Sequence, residues 1–317
     1  MKILITGVAG FIGSSLAEKL VLTDNLIYGI DNFDNFYSKE IKLKNLSNII
    51  KYQNFQFSEI DILDDEKLNN FFDSNNFDIV IHLAAKAGVL GSLKDPVGYY
   101  NANVIGLIKI LDLLKKFKIN KFIFASSSSV YGNTDSIIFN ESILDLKPIS
   151  PYASSKLAGE KLCELYSNLY NIKTICLRFF TVFGPRQRPD LAINKFISLI
   201  DAGNPITMYG DGETYRDYTY IDDIIDGIIG AINYNSEAFE IFNLGGGCPI
   251  KLIELIELLK NKIGKHVSII NLPVPDGDML RTSADIKKAN KFLGYNPKVK
   301  FEIGIEKFLK WRNNENI

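Results

Sequence analysis

Apolar residues occur along this chain in short unbroken runs, separated by longer stretches in which they recur every three or four positions. The runs at 2–6, 26–30, 55–57, 79–83, 121–125 and 174–179 show no in–out alternation. Strands of that kind are covered on both faces, as in a parallel sheet between two helical layers. Amphipathic helical patterns fill 11–22, 64–72, 97–117 and 154–170 between them. The alternation predicts an α/β fold with a doubly wound parallel sheet of Rossmann type over residues 1–180. After Phe180 the elements shorten, punctuated by Gly184-Pro185, Arg186-Gln187-Arg188-Pro189 and Gly210-Asp211-Gly212. Helices at 220–232, 249–263, 285–293 and 302–311 and a strand at 241–244 are expected there. They predict a smaller mixed α/β substrate domain over 181–317, with segments near 213–244 returning to the first sheet.

Composition removes several function classes. The chain has 317 residues and a net charge of −1, with no long basic run, which argues against nucleic acid or an anionic membrane as partner. Cys163, Cys176 and Cys248 show no C-x-x-C spacing, and two histidines cannot supply a zinc cluster. No apolar stretch reaches membrane-spanning length, and the first residues run straight into a strand without a leader pattern. A cytoplasmic protein with reduced thiols is expected.

The first turn, Gly7-Val8-Ala9-Gly10-Phe11-Ile12-Gly13, joins strand to helix. In such a turn Gly7 permits the tight bend, Gly10 a close approach of backbone to pyrophosphate, and Gly13 the packing of helix on strand. The helix N-terminus offers free N–H groups to phosphate, with Phe11 and Ile12 in its first turn. The second strand runs into Asp31-Asn32. A carboxylate there accepts from ribose hydroxyls and repels a 2′-phosphate, favouring NAD over NADP. Asp61-Ile62, after the third strand, is placed either at the adenine or at a helix cap.

Acid–base chemistry is signalled farther on. Pro151-Tyr152-Ala153-Ser154-Ser155-Lys156 opens a helix with Tyr152 and Lys156 on one face. An ammonium beside a phenol lowers its pKa and makes it a usable base. Ser126-Ser127-Ser128-Ser129 leaves the fifth strand at the end where doubly wound sheets bind ligands, and its hydroxyls could hold a sugar hydroxyl.

Together these motifs resemble the extended short-chain dehydrogenase/reductase family, in particular its NAD-dependent nucleotide-sugar epimerases and dehydratases, over essentially the whole chain. The resemblance implies a catalytic set of Ser127, Tyr152 and Lys156, and NAD as cofactor. It places Leu83, Ala84 and Ala85 beside the cofactor, with His82 structural or cofactor-proximal. Asn103 supports the active-site helix, and Phe179 belongs to the segment between nicotinamide and sugar. For the substrate it implies Thr181 at the sugar, Tyr209 in a uracil-binding turn, Arg216 and Arg281 at the diphosphate and Asp278 at the nucleotide ribose. Asp278 and Arg281 could instead form a surface charge pair.

Dehydratases of this family follow the catalytic hydroxyl with Asp-Glu, whereas this chain has Ser128-Ser129, so simple 4-epimerisation through a transient 4-keto sugar is expected. The segment from Gly184 to Ala192 and the serine run resemble UDP-glucuronate 4-epimerases most closely. They imply that Arg188, with Ser128, Ser129 and Thr181, faces a C6 carboxylate. Two departures, Leu90 in place of an arginine and Lys86 in place of a glutamine, leave UDP-glucose/UDP-galactose and UDP-N-acetylglucosamine open as substrates. The small Thr282, at a position that gates sugar size, would admit an N-acetyl group. Rival classes are a nucleotide-sugar reductase or dehydrogenase, which would consume NAD(P), and a non-catalytic NAD sensor. The resemblance also implies a homodimer built on helices 97–117 and 154–170.

Overall fold

Lys2–Thr6 (β1) enters the interior at once, with Ile3, Leu4 and Ile5 fully buried. Both of its faces are covered. Ile3 and Ile5 join an apolar cluster on one side, and Leu4 joins a different cluster on the other. The unbroken apolar run follows from that arrangement. The computed structural model of the chain describes residues 1–315 apart from 135, 236, 237, 275, 276 and 278. Strands β2 (Leu26–Asp31), β3 (Phe55–Glu59), β4 (Ile79–His82), β5 (Lys121–Ser127) and β6 (Lys173–Phe179) build the sheet around β1. Three more, β7 (Thr181–Phe183), β8 (Ile206–Tyr209) and β9 (Tyr215–Tyr220), precede β10 (Glu240–Leu244), which returns to pair with β6. Among the described residues the large sheet has seven strands in the order β10-β6-β5-β4-β1-β2-β3. Every pairing in it is parallel.

Helices α1 (Phe11–Leu20), α2 (Lys39–Leu46) and α3 (Asp65–Asp73) follow the first three strands. After β4 come α4 (Val89–Lys94), α5 (Pro96–Tyr100) and α6 (Gly106–Lys116), and after β5 the long α7 (Pro151–Tyr170). Residues of α3, α6 and α7 share the cluster of Leu4. Those of α1 share the cluster of Ile3 with α8 (Ala192–Asp201) and α9 (Ile221–Asn233). The later chain adds β11 (Pro249–Lys251), α10 (Leu252–Ile263), β12 (Ile269–Leu272), α11 (Lys287–Leu293) and α12 (Phe301–Asn314). A three-stranded sheet β11-β9-β7 and the pair β12-β8 lie beyond the large sheet.

The sequence pattern departs from this architecture in several places. The helix expected at 97–117 is divided, because Asn101–Ile105 between α5 and α6 winds as a π-helix. Residues 249–251 form a strand rather than a first helical turn, since they pair antiparallel with β9. Helices α2, α4 and α8 had no counterpart in the expected pattern, and α4 is only 6 residues long. Among the described residues no helix is long and apolar enough to cross a membrane.

His82 ends β4 in full burial, its Nδ1 hydrogen-bonded to Thr6 Oγ1 at 2.9 Å. Burial, and after it the Lys156 charge, push the imidazole pKa down to about 3. The ring is therefore neutral and not poised as a base. In an unfolded chain it would titrate near about 6.5. Below that pH the unfolded state takes up a proton that the folded state refuses, so stability is lost as pH falls. The loss is about 2 kcal/mol between about pH 7.5 and pH 5. Denaturant midpoints across that range should show this slope, and His82→Asn should flatten it. An equal slope in the variant would assign the acid sensitivity to other groups.

Candidate active site

The carboxyl ends of the parallel strands open into one cavity of about 680 Å³, within the usual range for small-molecule sites. At one end lies the glycine turn. Gly7 has φ +71°, and a Cβ on it would come within 2.7 Å of Ala84 N. A Cβ on Gly13 would collide with the Gly7 carbonyl oxygen. No side chain caps the first N–H groups of α1, so the helix presents them to the cavity. The turn thus has the close-packed backbone and free donors that a dinucleotide pyrophosphate requires.

Asp31 lies beside the turn and is buried. Its oxygens accept from Ala9 N at 3.1 Å and Phe33 N at 2.9 Å, which ties the end of β2 to the glycine turn. Burial raises its pKa, opposed first by the Phe33 N–H and then by the Lys42 charge. Asn32 donates to Asp61 Oδ2 at 2.9 Å. Asn32, Asp61, Ile62, Phe11, Ile12, Leu83, Ala84, Ala85 and Phe179 all line the cavity with Gly7, Gly10, Gly13 and Asp31.

Asn103 does not line it. Its amide oxygen accepts from Lys86 N at 2.8 Å, and its NH2 donates to Lys86 O and Ser155 Oγ, both at 2.9 Å. It lies in the π-helical turn, where the widened backbone sets this side chain between the loop after β4 and α7. Asn103 thus ties the loop after β4 to α7 through Ser155. It clamps the wall from behind.

The acid–base residues converge where β5 meets α7. Ser127, Tyr152 and Lys156 all line the cavity. The Ser127 hydroxyl donates to Ser129 Oγ at 3.1 Å and accepts from Ser129 N at 3.2 Å. Burial raises the Tyr152 pKa, and the Ser127 hydroxyl and then the Arg188 charge pull it back. Lys156 Nζ donates instead to Ala125 O at 2.8 Å, and burial lowers its pKa to about 8. Ser127 and Arg188 are thus the groups that offset burial at the phenol, while the strand carbonyl takes a hydrogen bond from the Lys156 ammonium.

One turn farther along α7, Glu160 receives Arg178 Nε at 2.8 Å and Nη2 at 2.7 Å, and Ser126 Oγ at 2.5 Å. Both charged side chains are 2 % exposed. The guanidinium also lies over the Tyr131 ring, 4.6 Å from its centroid. Sequence reading had given neither residue a role.

Ser128, Ser129, Thr181 and Arg188 complete the other end of the cavity. Arg188 Nη2 donates to Ala87 O at 3.1 Å, and its carbon Cζ lies 5.0 Å from the Phe36 ring centroid. Arg186 diverges from it. With φ +67° it turns away and pairs with Glu18 of α1 at 2.8 Å. Phe36, Tyr37 and Lys86 also reach the wall. The aromatic pair in a polar loop after the second strand was the available signal for the first two.

Tyr209, Arg216 and Arg281 do not reach this wall. Tyr209 ends β8, Arg216 Nη1 donates to Tyr215 O at 2.9 Å, and the Arg281 guanidinium lies 4.9 Å from the Tyr215 ring centroid. Thr282 is buried, its hydroxyl accepting from Asp217 N at 3.0 Å, and Leu90 is 44 % exposed outside the wall. Asp278 lies outside the described residues.

The profile of the NAD-dependent epimerase/dehydratase family matches residues 3–245. A UDP-glucuronate 4-epimerase of Thermodesulfobacterium geofontis is 40 % identical over 315 residues, 99 % of this chain and 96 % of that protein. The UDP-glucuronic acid 4-epimerase of Bacillus cereus, solved with UDP-glucuronic acid and NAD, superposes with a TM-score of 0.93 at 37 % identity, over 99 % of this chain and 100 % of the other. The UDP-glucose 4-epimerase of Thermotoga maritima, solved with UDP-glucose, gives 0.92 at 31 % identity, over 100 % of both.

Removing one partner of a buried ion pair strands the other charge in low dielectric, at a cost of about 3–5 kcal/mol. Glu160→Gln should lose stability of that order in chemical denaturation. A loss below about 1 kcal/mol would show that Arg178 finds other compensation.

Proposed function

The chain belongs to the NAD-dependent epimerase/dehydratase family, and we propose that it interconverts UDP-glucuronate and UDP-galacturonate by epimerisation at C4. The observation that carries the choice of sugar is Arg188, a guanidinium on the same cavity wall as Ser127 and Tyr152. Planar donors of that kind suit a carboxylate. Ser128, Ser129 and Thr181, on the same wall, supply hydroxyls to the sugar. In this reading residues 1–180, with β10, hold the cofactor and 181–317 the nucleotide sugar. Tyr209, Arg216, Asp278 and Arg281 would bind the uridine diphosphate.

The glycine turn and the α1 N-terminus would hold the NAD pyrophosphate and Asp31 a ribose, with Asp61 and Ile62 toward the adenine. Leu83, Ala84, Ala85 and Phe179 would flank the nicotinamide. When bound, NAD supplies reversible hydride transfer at C4. Tyr152 takes the C4 hydroxyl proton and later returns it, with Ser127 holding the same oxygen. Lys156 keeps a positive charge under the site, held on the Ala125 carbonyl. Rotation of the 4-keto sugar in the cavity presents the opposite face of C4, and the configuration inverts on return.

Proton NMR of the purified protein with UDP-glucuronate, without added NAD, tests the reading. UDP-galacturonate should appear, with no lasting rise in reduced-nicotinamide absorbance. A stoichiometric rise would establish a net dehydrogenase. No conversion in a sample shown to contain NAD would move the substrate to UDP-glucose or UDP-N-acetylglucosamine. Arg188→Ala should lower kcat/KM for UDP-glucuronate about 100-fold, as expected for losing hydrogen bonds to a charged group. Equal losses with a neutral UDP-sugar would remove the carboxylate role.

The same reading includes a homodimer. Val97, Ile105, Leu165 and Leu169 are exposed by 44 % to 70 % on α5, the π-helical turn and α7. Pairing these helices with those of a second copy as a four-helix arrangement would cover them. Sedimentation at micromolar concentration should give twice the 35.7 kDa chain mass, and a monomer would refute the pairing.

A further inference from the structure

Arg188 is held more tightly than a substrate-binding arginine on a surface loop needs to be, and the group that holds it is not on the cavity wall. Asp190 takes the side edge of the guanidinium, accepting from Nε at 2.9 Å and Nη2 at 2.7 Å. The second Nη2 hydrogen goes to Ala87 O at 3.1 Å. Phe36 covers the group at 5.0 Å, and Leu191 N closes the turn onto Arg188 O at 3.2 Å. A guanidinium has five N–H donors. Three are accounted for here, and the two on Nη1 remain.

The charges follow the same division. Burial works against the Arg188 charge, and the Asp190 hydrogen bonds and carboxylate outweigh it, so the pKa is raised. The Asp190 side chain is 41 % exposed and that of Arg188 15 %, so the pair spans the boundary between solvent and cavity. Asp190 lies outside the cavity lining that Arg188 and Leu191 both reach. A free arginine side chain would have to lose rotational freedom each time it met a ligand. One already fixed at its Nε edge does not.

We infer that Asp190 is a positioning residue, fixing Arg188 from the solvent side so that Nη1 alone is offered to the carboxylate of the substrate. This rests on the uronate reading above. It adds a specificity determinant that touches neither sugar nor cofactor. A neutral sugar, with no carboxylate for Nη1, gains nothing from the arrangement.

Binding of UDP-glucuronate and UDP-glucose to the NAD-loaded protein, measured by calorimetry, tests it in Asp190→Ala, Asp190→Glu, Arg188→Ala and the double variant Arg188→Ala/Asp190→Ala. Asp190→Ala should weaken UDP-glucuronate about tenfold, the scale of re-ordering one long side chain, and leave UDP-glucose unchanged. Its KM should rise with little change in kcat. Asp190→Glu should recover part of the loss. In the Arg188→Ala background the Asp190 substitution should have no further effect, since the two act as one unit. Equal weakening of both nucleotide sugars, tighter uronate binding, or a loss that persists without Arg188 would each overturn the positioning role. If Arg188→Ala itself spares UDP-glucuronate, the uronate reading falls and this inference with it. If Arg188→Ala weakens it and Asp190→Ala does not, only the inference falls.

Discussion

The site depends on one buried ion pair. Tyr152, Lys156 and Glu160 follow one another at four-residue intervals along α7, so they lie on one stripe of that helix. Glu160 fixes the stripe by its two-pronged contact with Arg178 of β6 and its bond to Ser126 of β5. Lys156 adds a second tie, to the carbonyl of Ala125 on β5. An apolar pair of similar volume could be as stable there, since desolvating two charges offsets much of their attraction. It would not set the rotation of the helix about its axis. Directional bonds to two strands do, and the direction of Tyr152 follows from that rotation. Ser127 shares β5 with Ser126, so the phenol and the hydroxyl beside it are positioned by the same strand.

A second constraint runs along the cavity. The loop after β2 starts at the carboxylate that anchors the glycine turn and ends under Arg188. Asp31 accepts from Phe33 N, Asn32 from Asp34 N, and Asp34 from Phe36 N, each at 2.9 Å. Lys42 of α2 holds the Asp34 carbonyl at 2.6 Å. These successive turns by Asx side chains leave the loop little freedom. They place Phe36 on Arg188 at a fixed reach from Asp31. The glycine-turn end and the Arg188 end of the cavity are thus joined by a stiff local structure as well as by the sheet beneath.

The large sheet was legible in the sequence because burial on both faces leaves an apolar run that no surface strand would tolerate. The glycine turn was legible because backbone contacts at Gly7 and Gly13 exclude a Cβ. The Tyr152–Lys156 spacing was legible because helical period alone puts both on one face. The rest depends on tertiary partners. Pro249–Lys251 follows the apolar pattern of α10 and becomes a strand only because β9 lies beside it. The π-helical turn at Asn101–Ile105 has no local marker, and it places Asn103 behind the wall instead of on it. Arg186 and Arg188 read alike in sequence, yet a positive φ sends the first to α1 and leaves the second on the cavity. Asp190 looked like any loop carboxylate until its partner was placed.

Strand order also limits the chemistry the cavity can perform. Among the described residues its wall carries the carboxylates Asp31, which ends β2, and Asp34 and Asp61, which follow β2 and β3. Ser127 lies at the end of β5, and three strand spacings separate β5 from β2 in the sheet. At the usual interstrand distance that is about 14 Å. Asp31 thus starts far from Ser127 in the sheet, and Asp31, Asp34 and Asp61 are already engaged by backbone N–H groups. At the positions where an elimination or decarboxylation would need an acid or base, beside Ser127, the chain has Ser128 and Ser129. The phenol of Tyr152 remains as the group suited to moving a proton there. A phenol placed beside Ser127 can take a proton from a hydroxyl and give it back, and this supports a reaction whose net result is inversion of a single carbon.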